Sequence, residues 1–368
     1  MTVSRRKFLT IAGGGTIAAA TAASAGFLNT RVPHRAIAPW KLAGSYGDPR
    51  KNALSYALLA PNPHNLQPWL VELVGDDTVL LWHDSEKRLP ETDPFDRQLT
   101  IGFGCFLEQM ALAAGVAGYD VRTEVFPDGE KGPVARAVFE TGGQADPLAG
   151  HILNRRSCKE PFSDREVPDV AVRALESYAT IVTDEERVKE IRSITWDAWV
   201  AEMQTPRTLH ESVDLMRFGK AEINANPDGI DLGGPFLETL MLTGLVSRSV
   251  QSDPESRGFR EGVRIYDEML HATPAYAVLR SAGNDKADQV RAGRDWLRLN
   301  LRCTSLGLSL HPVSQCLQEF PEMALQYVRI HDLLATNGET VQMLGRLGYG
   351  PDVAQSPRWP LEAKLLNG

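Results

Sequence analysis

The chain lacks the short motifs by which much protein-only chemistry can be read from a sequence. Its 368 residues include four cysteines, Cys105, Cys158, Cys303 and Cys316, with neither a C-x-x-C pair nor zinc-ligand spacing. That excludes a sequence-evident dithiol redox pair or metal ribbon. Each cysteine lies in an apolar or semi-apolar context, so buried thiols are expected in place of a disulfide framework. Neither G-x-S-x-G nor H-E-x-x-H occurs, which removes the nucleophile elbow and the zinc-protease helix. Positive charge is scarce: 39 Lys and Arg face 47 Asp and Glu, and a balance of −8 argues against a general nucleic-acid binder. The apolar stretch from Thr10 to Ala25 is interrupted by Gly13-Gly14-Gly15 and is a poor spanning helix. What is there, 43% hydrophobic and 23% charged residues, suits a soluble globular protein long enough for two compact units.

The first residues form a unit of their own. Ser4-Arg5-Arg6-Lys7-Phe8-Leu9 resembles a twin-arginine export signal, with the paired arginines directly before Phe-Leu. Ala23-Ser24-Ala25 supplies an A-x-A-like cleavage site before Gly26. Residues 1–25 are therefore expected to be a signal peptide read by the twin-arginine machinery. The mature chain would be periplasmic or otherwise extracytoplasmic, and not an integral membrane protein. That route, as the resemblance implies, carries proteins already folded, often with a redox cofactor loaded. Residues 26–48 show little periodicity and read as a linker or a wrapping arm.

From Pro49 onward the pattern alternates between helix and strand. Helical spacing covers 49–59, 96–115, 169–178, 184–203 and 285–306, and strand composition covers 70–74, 78–82, 119–126, 135–139 and 275–281. Leu308–Gln315 and Met343–Gly350 carry strand-and-turn features. The two long helical patterns share a frame: Gly104 to Gly118 repeats as Gly293 to Gly307, with Leu107, Met110 and Leu112 matching Trp296, Leu299 and Leu301. This predicts two related halves, 49–150 and 151–368. A Gly- and Pro-punctuated insertion at about 205–262 in the second half could cover a cleft between them.

Two stretches carry chemistry. In Ala60-Pro61-Asn62-Pro63-His64-Asn65-Leu66-Gln67-Pro68-Trp69, three prolines forbid a helix while two asparagines, a histidine and a glutamine offer hydrogen bonds. An ordinary Pro-rich connector and a loop that grips a flat heterocycle both fit this segment. His64 is open in the same way, as a ring or substrate contact or as loop structure. In Arg155-Arg156-Ser157-Cys158-Lys159, three cations and a hydroxyl fall within five residues, as a solvated charge run or as a grip on a phosphate dianion.

Together these stretches resemble the nitroreductase family of flavin enzymes, and the layout looks most like its Acg-like branch. Arg155–Lys159 is similar to the family's R-R-S-x-R, which holds the FMN phosphate. Ala60–Trp69 is similar to A-P-S-x-x-N-x-Q-P-W. Leu306-Gly307-Leu308 through Pro312-Val313-Ser314-Gln315 is similar to the loop beside the isoalloxazine ring. Arg358, in Pro357-Arg358-Trp359-Pro360-Leu361, matches a phosphate-contacting cation.

The resemblance implies an α+β fold, a nitroreductase-like α/β/α sandwich. Its two halves would form an intrachain pseudo-dimer with an inserted lid and one FMN per chain. The cofactor-binding residues it implies are Arg155, Arg156, Ser157, Lys159, Asn62, His64, Asn65, Gln67, Pro312, Val313, Ser314, Gln315 and Arg358. Asn65 and Gln67 would hydrogen-bond the ring or ribityl chain, and backbone N–H groups near Val313–Gln315 would face the reduced flavin. No side chain is required as nucleophile or acid, since the chemistry falls to flavin N5. Asn62-Pro63 departs from the family's serine, and Lys159 replaces an arginine fork with a point charge. The implied activity is two-electron reduction of nitroaromatic, quinone or related small-molecule acceptors by an unspecified donor. The alternative is an FMN-binding or storage protein with the cofactor occluded by the lid.

Overall fold

A computed structural model describes residues 31–336 and 338–367. The expected signal peptide, 1–25, lies outside them. The fold is α+β, built on two four-stranded antiparallel sheets and a central helix pair.

In the first half, α1 (Ala38–Leu42) precedes α2 (Pro49–Ala57). Asp48 caps α2 by accepting from the Arg50 N–H at 2.8 Å, and Pro49 presets the first turn. β1 (Trp69–Val74) and β2 (Thr78–His83) form a hairpin in register from Trp69↔His83 to Val74↔Thr78. β3 (Tyr119–Val125) and β4 (Ala135–Thr141) complete a sheet of order β1-β2-β4-β3. The other sheet has order β5-β8-β10-β9, from β5 (Thr180–Val182), β8 (Ala275–Ser281), β9 (Ser309–Pro312) and β10 (Thr340–Gly348).

The helices that bind the halves together are α3 (Arg97–Val116) and α11 (Lys286–Ser305), each of 20 residues. α3 is long and apolar enough to cross a membrane by composition, yet 17 of its 20 residues are buried, so it is a core helix of this fold. The two helices cross with Gly104 against Gly293. A Cβ at Gly104 would lie 2.1 Å from the Val290 carbonyl oxygen, and one at Gly293 would lie 2.0 Å from that of Ile101. Each helix ends in a left-handed glycine, Gly118 at φ +83° and Gly307 at φ +69°, which turns the chain into the strand that follows. One hydrophobic core runs through this crossing from β1, β2 and β4 to β8 and β10.

The chain from 151 adds α4 (Asp169–Leu175) and α5 (Glu185–Gln204), then the segment expected to be an insertion. That segment contains α6 (Pro206–Asp214), β6 (Met216–Phe218), α7 (Gly219–Ala225), β7 (Ile230–Leu232), α8 (Pro235–Leu242), α9 (Arg248–Gln251) and α10 (Arg257–His271). The expected end of the insertion at 262 falls inside α10, which continues to His271. α12 (Ala324–Leu334) lies in a stretch to which the sequence pattern assigns no element. Its Leu325 and Val328 are exposed, at 65% and 53%, so its apolar residues do not make one clean stripe.

Candidate functional site

A cavity of about 660 Å³ opens among α3, α5, α10 and α11 and the loops at 61–65, 155–160 and 312–318. Its floor comes from Ile101, Gly102 and Cys105 of α3 and Trp296 of α11. One wall comes from residues 61–65, another from Arg155–Ser157, Lys159 and Arg358, and a third from the inserted segment.

Residues 62–67 are held under backbone strain. His64, Asn65 and Gln67 have positive φ of 47°, 55° and 52°, three of the five such non-glycine residues among those described. Left-handed geometry costs about 1–3 kcal/mol at such positions and persists where surrounding contacts over-determine it. Those contacts are the amide side chains. Asn62 accepts from the Gln67 N–H at 2.8 Å and donates to Ala60 O at 3.1 Å. Asn65 donates to Pro357 O at 3.1 Å and accepts from the Arg358 guanidinium. Gln67 is fully buried, donates to Pro227 O at 2.7 Å and accepts from the Trp359 N–H at 2.9 Å.

The side-chain hydrogen bonds of Asn62, Asn65 and Gln67 go to protein groups, and Gln67 does not border the cavity. Val313 also stays out of it: its side chain is 1% exposed in the core, and its N–H donates to Leu344 O at 2.9 Å. The other expected residues meet there. Asn62, His64, Asn65, Arg155, Arg156, Ser157, Lys159, Pro312, Ser314, Gln315 and Arg358 all border the one cavity, although they come from sequence positions 62 to 358.

The cationic end gathers Arg155, Arg156, Lys159 and Arg358, with Asp231 as a nearby acid. Arg155 and Arg358 are each 3% exposed. Arg155 donates to Leu59 O at 3.1 Å, and Arg358 to Leu59 O at 3.1 Å and Ala60 O at 3.2 Å. Both keep an Nε with no partner. Burial pushes the Arg358 guanidinium down to about 9, with repulsion from Arg155 and Arg156 adding to it and Asp231 pulling the other way. Arg155 is pushed down to about 10, again by burial first. Arg156 lies 4.6 Å over the Trp40 ring. Trp40, from the segment read as linker or arm, is buried and donates to Ser356 O at 2.8 Å. Trp40 therefore brings the described part of that segment against the site.

Two imidazoles border the cavity. Burial, with Lys159 nearby, pushes His64 down to about 4, and burial beside Arg346 and Lys159 pushes His311 well below its ordinary range. Both are neutral at physiological pH.

The inserted segment is pinned to this site. Buried Asp228 accepts from Lys87 at 2.7 Å, Arg217 at 2.8 Å and the Trp359 indole at 2.9 Å, and Gly229 N–H donates to Asn65 O at 3.1 Å.

Pattern reasoning missed Trp40, Trp199, Glu202, Tyr266 and His311, all of which border the cavity. His311 adjoins the Pro312–Gln315 stretch, and that proximity was the available signal.

No family model matches the chain. It is similar to "Putative NAD(P)H nitroreductase acg" of Mycobacterium tuberculosis, with 31% identity over 147 residues, 38% of this chain and 43% of that protein. The chain thus spans less than half the length of that relative. It is also similar to "Putative NAD(P)H nitroreductase Rv3131" of the same organism, 24% identical over 85% of this chain and 92% of that one. Among solved structures, the FMN-dependent nitroreductase NfnB from Mycobacterium smegmatis in complex with NADPH aligns at 17% identity. It covers 59% of this chain and 96% of that one, with a TM-score of 0.38.

Proposed function

We propose that this protein binds one FMN in the cavity between its halves. It then acts as an oxidoreductase of nitroreductase type, passing two electrons from a donor to a small-molecule acceptor such as a nitroaromatic or a quinone. One observation carries the reading: two buried guanidiniums, Arg155 and Arg358, each with an unpartnered Nε, stand beside Arg156 at one end of a cavity. Buried cations are costly without a counter-charge, and a phosphate dianion is the partner that planar guanidinium forks fit best. The relatives described as NAD(P)H nitroreductases support the same activity.

The residues fit the cofactor in defined roles. Arg155, Arg156 and Arg358 hold the phosphate, with Lys159 as a point charge. Asn65 holds Arg358 from the side, and Asn62 and Gln67 fix the strained turn. Ile101, Gly102 and Trp296 line the cavity and offer apolar contact to a ring system. When bound, the flavin supplies two-electron chemistry at N5. The neutral His64 and His311 leave the cationic end to the arginines and Lys159.

Occlusion is the second reading. The hold on Asp228 and Gly229 favours a lid that closes over FMN and leaves binding or storage with little turnover. The repeated Gly104–Gly118 and Gly293–Gly307 frames support descent of 49–150 and 151–368 from one duplicated unit. The N-terminal Arg5-Arg6 pattern supports twin-arginine export to the periplasm.

Purified protein is expected to show the visible bands of oxidised flavin, and Arg358→Ala to lose them while keeping a cooperative melt. A colourless protein that melts cooperatively and takes up no added FMN refutes flavin binding. Anaerobic NADPH separates the two readings: bleaching supports the reductase, and a yellow protein left unbleached supports occlusion or another donor.

A further inference from the structure

Trp40 lies outside the stretches whose residue types announce the site, yet two of the site's cations rest on it. The Arg156 guanidinium carbon is 4.6 Å from the centre of the indole ring, and that of Arg358 is 5.8 Å from it. Both distances fall within cation–π range, and Trp offers the strongest face for that attraction. The ring itself is fixed. It is 3% exposed, and its N–H donates at 2.8 Å to the carbonyl of Ser356, two residues before Arg358.

The stretch that carries Trp40 is hooked at both ends. Ala36 O accepts from the Arg358 N–H at 2.8 Å, so Arg358 meets this stretch through its backbone and its side chain alike. Ala36 N–H donates to Asn224 Oδ1 of α7 at 3.0 Å, and Arg31 pairs with Glu238 of α8 at 2.8 Å. Residues 31–42 thus connect the inserted segment to the cationic end.

Stacking holds a guanidinium without using up its donors. Arg156 spends Nη1 on Leu153 O and Arg155 O, which leaves Nε and Nη2 for a ligand. A carboxylate partner would occupy that edge and cancel the charge, and an aromatic face does neither. On Arg358, burial and then Arg155 work against the charge, with Asp231 opposing them and Arg156 adding a smaller repulsion. An indole beside two like charges favours both of them and does not compete with an anion. We propose that Trp40 is a positioning residue for the phosphate end of the cavity, a role that rests on the flavin reading above for the identity of the ligand. Its face holds Arg156 and Arg358 for one phosphate dianion, and residues 31–42 and the bound phosphate stabilise each other.

FMN and riboflavin, which differ by the phosphate alone, are the probes, added to the full chain and followed by flavin fluorescence. The wild type is expected to prefer FMN, and Trp40→Leu to lower that preference about tenfold, the scale of a desolvated cation–π contact. A general weakening of the fold lowers both affinities together and leaves their ratio unmoved. Trp40→Phe keeps an aromatic face and should keep most of the preference. In the wild type, amide exchange across residues 31–42 should slow on adding FMN and not on adding riboflavin, a measurement that needs no variant. An FMN preference in Trp40→Leu equal to the wild type's overturns the role of Trp40, as does a loss in Trp40→Phe as complete as in Trp40→Leu. Equal protection of 31–42 by both flavins overturns the mutual hold. A wild type that takes up neither flavin refutes the flavin reading and this role with it, whereas FMN uptake with an unmoved ratio refutes this role alone.

Discussion

Alanine at Gly104 or Gly293 probes the helix crossing that the cavity stands on. A Cβ at Gly104 would lie 2.1 Å from Val290 O and 2.8 Å from Gly293 Cα, and one at Gly293 would lie 2.0 Å from Ile101 O and 2.8 Å from Gly104 Cα. The obstacles are backbone atoms of a packed helix, which cannot rotate away as a side-chain end can. Clearing them to a 3.0 Å contact moves the helices apart by about 1 Å. Overpacking a core costs about 1–3 kcal/mol, and contact with backbone on both sides puts each single variant near 3 kcal/mol. The separation made for one Cβ also serves the other, since both clashes lie across the same crossing. The double variant should therefore cost about 4 kcal/mol where additivity gives about 6, a coupling within the range found for neighbours in contact.

Urea unfolding followed by tryptophan fluorescence, with the slope checked for constancy, measures all three variants. Gly262→Ala is the control: it lies inside α10 with nothing within 4 Å of its Cβ, and should gain roughly 0.5–1 kcal/mol from helix propensity. Flavin content should fall in both single variants, because Ile101, Gly102 and Trp296 form the floor on either side of the crossing. A cost below about 1 kcal/mol in either single variant, or a strictly additive double, refutes the close crossing.

Two further outcomes concern buried acids. Asp228→Ala should cost about 3–5 kcal/mol and expose residues 205–262 to proteolysis; an unchanged digestion pattern would show that Asp228 does not hold that segment. In the wild type, burial works upward on the Asp228 carboxyl but is outweighed by bonds from Lys87, Trp359 and Arg217, so its titration lies below the ordinary range. A depressed carboxylate contributes stability above its unfolded value and loses it as pH falls through the folded one. Hydrogen-exchange protection of the inserted segment should accordingly drop in acid, below about pH 4. Glu202 has the opposite sign. Raised from 4.5 to about 7, it adds no penalty below the lower value and a growing one between them, reaching about 3 kcal/mol above. Glu202→Gln should thus match the wild type near pH 4 and exceed it by about 2–3 kcal/mol near pH 8 in denaturant titrations. An equal gain at both pH values would show that ionisation is not the cause.

What the sequence made legible was local. Helices α3, α5 and α11 and strands β1, β2, β3 and β8 lie within a residue or two of their predicted ranges, because an apolar period that faces one core survives in the pattern. β5, with three residues, is too short to carry a period. The Arg155–Lys159 cluster was legible as charge and the Ala60–Trp69 loop as polar groups between prolines. Their partners were not. Gln67 donates to Pro227 and accepts from Trp359, and Asn65 reaches Pro357 and Arg358, so each bond closes over a separation of 160 residues or more. Side-chain chemistry says that an amide will bond, and only the closed chain says to what.

Glu202 shows the same division from the other direction. It belongs to a helix that opens with Glu185, Glu186 and, a turn later, Glu190, acids that read alike as a solvated face. What separates it from them is not on that helix. α6 folds back so that Thr208 Oγ1 donates to the Glu202 carbonyl at 2.5 Å and Ser212 Oγ to its carboxyl at 3.3 Å, and the chain returns at Gln318 to close the far side. The arginine cluster announces itself because its charges are adjacent in sequence. A single acid becomes distinctive when three separate segments remove water from it. In this protein the cationic end could therefore be found from a string of residues, and the buried acid only from the shape that α5, α6, α10 and the 315–318 turn make together.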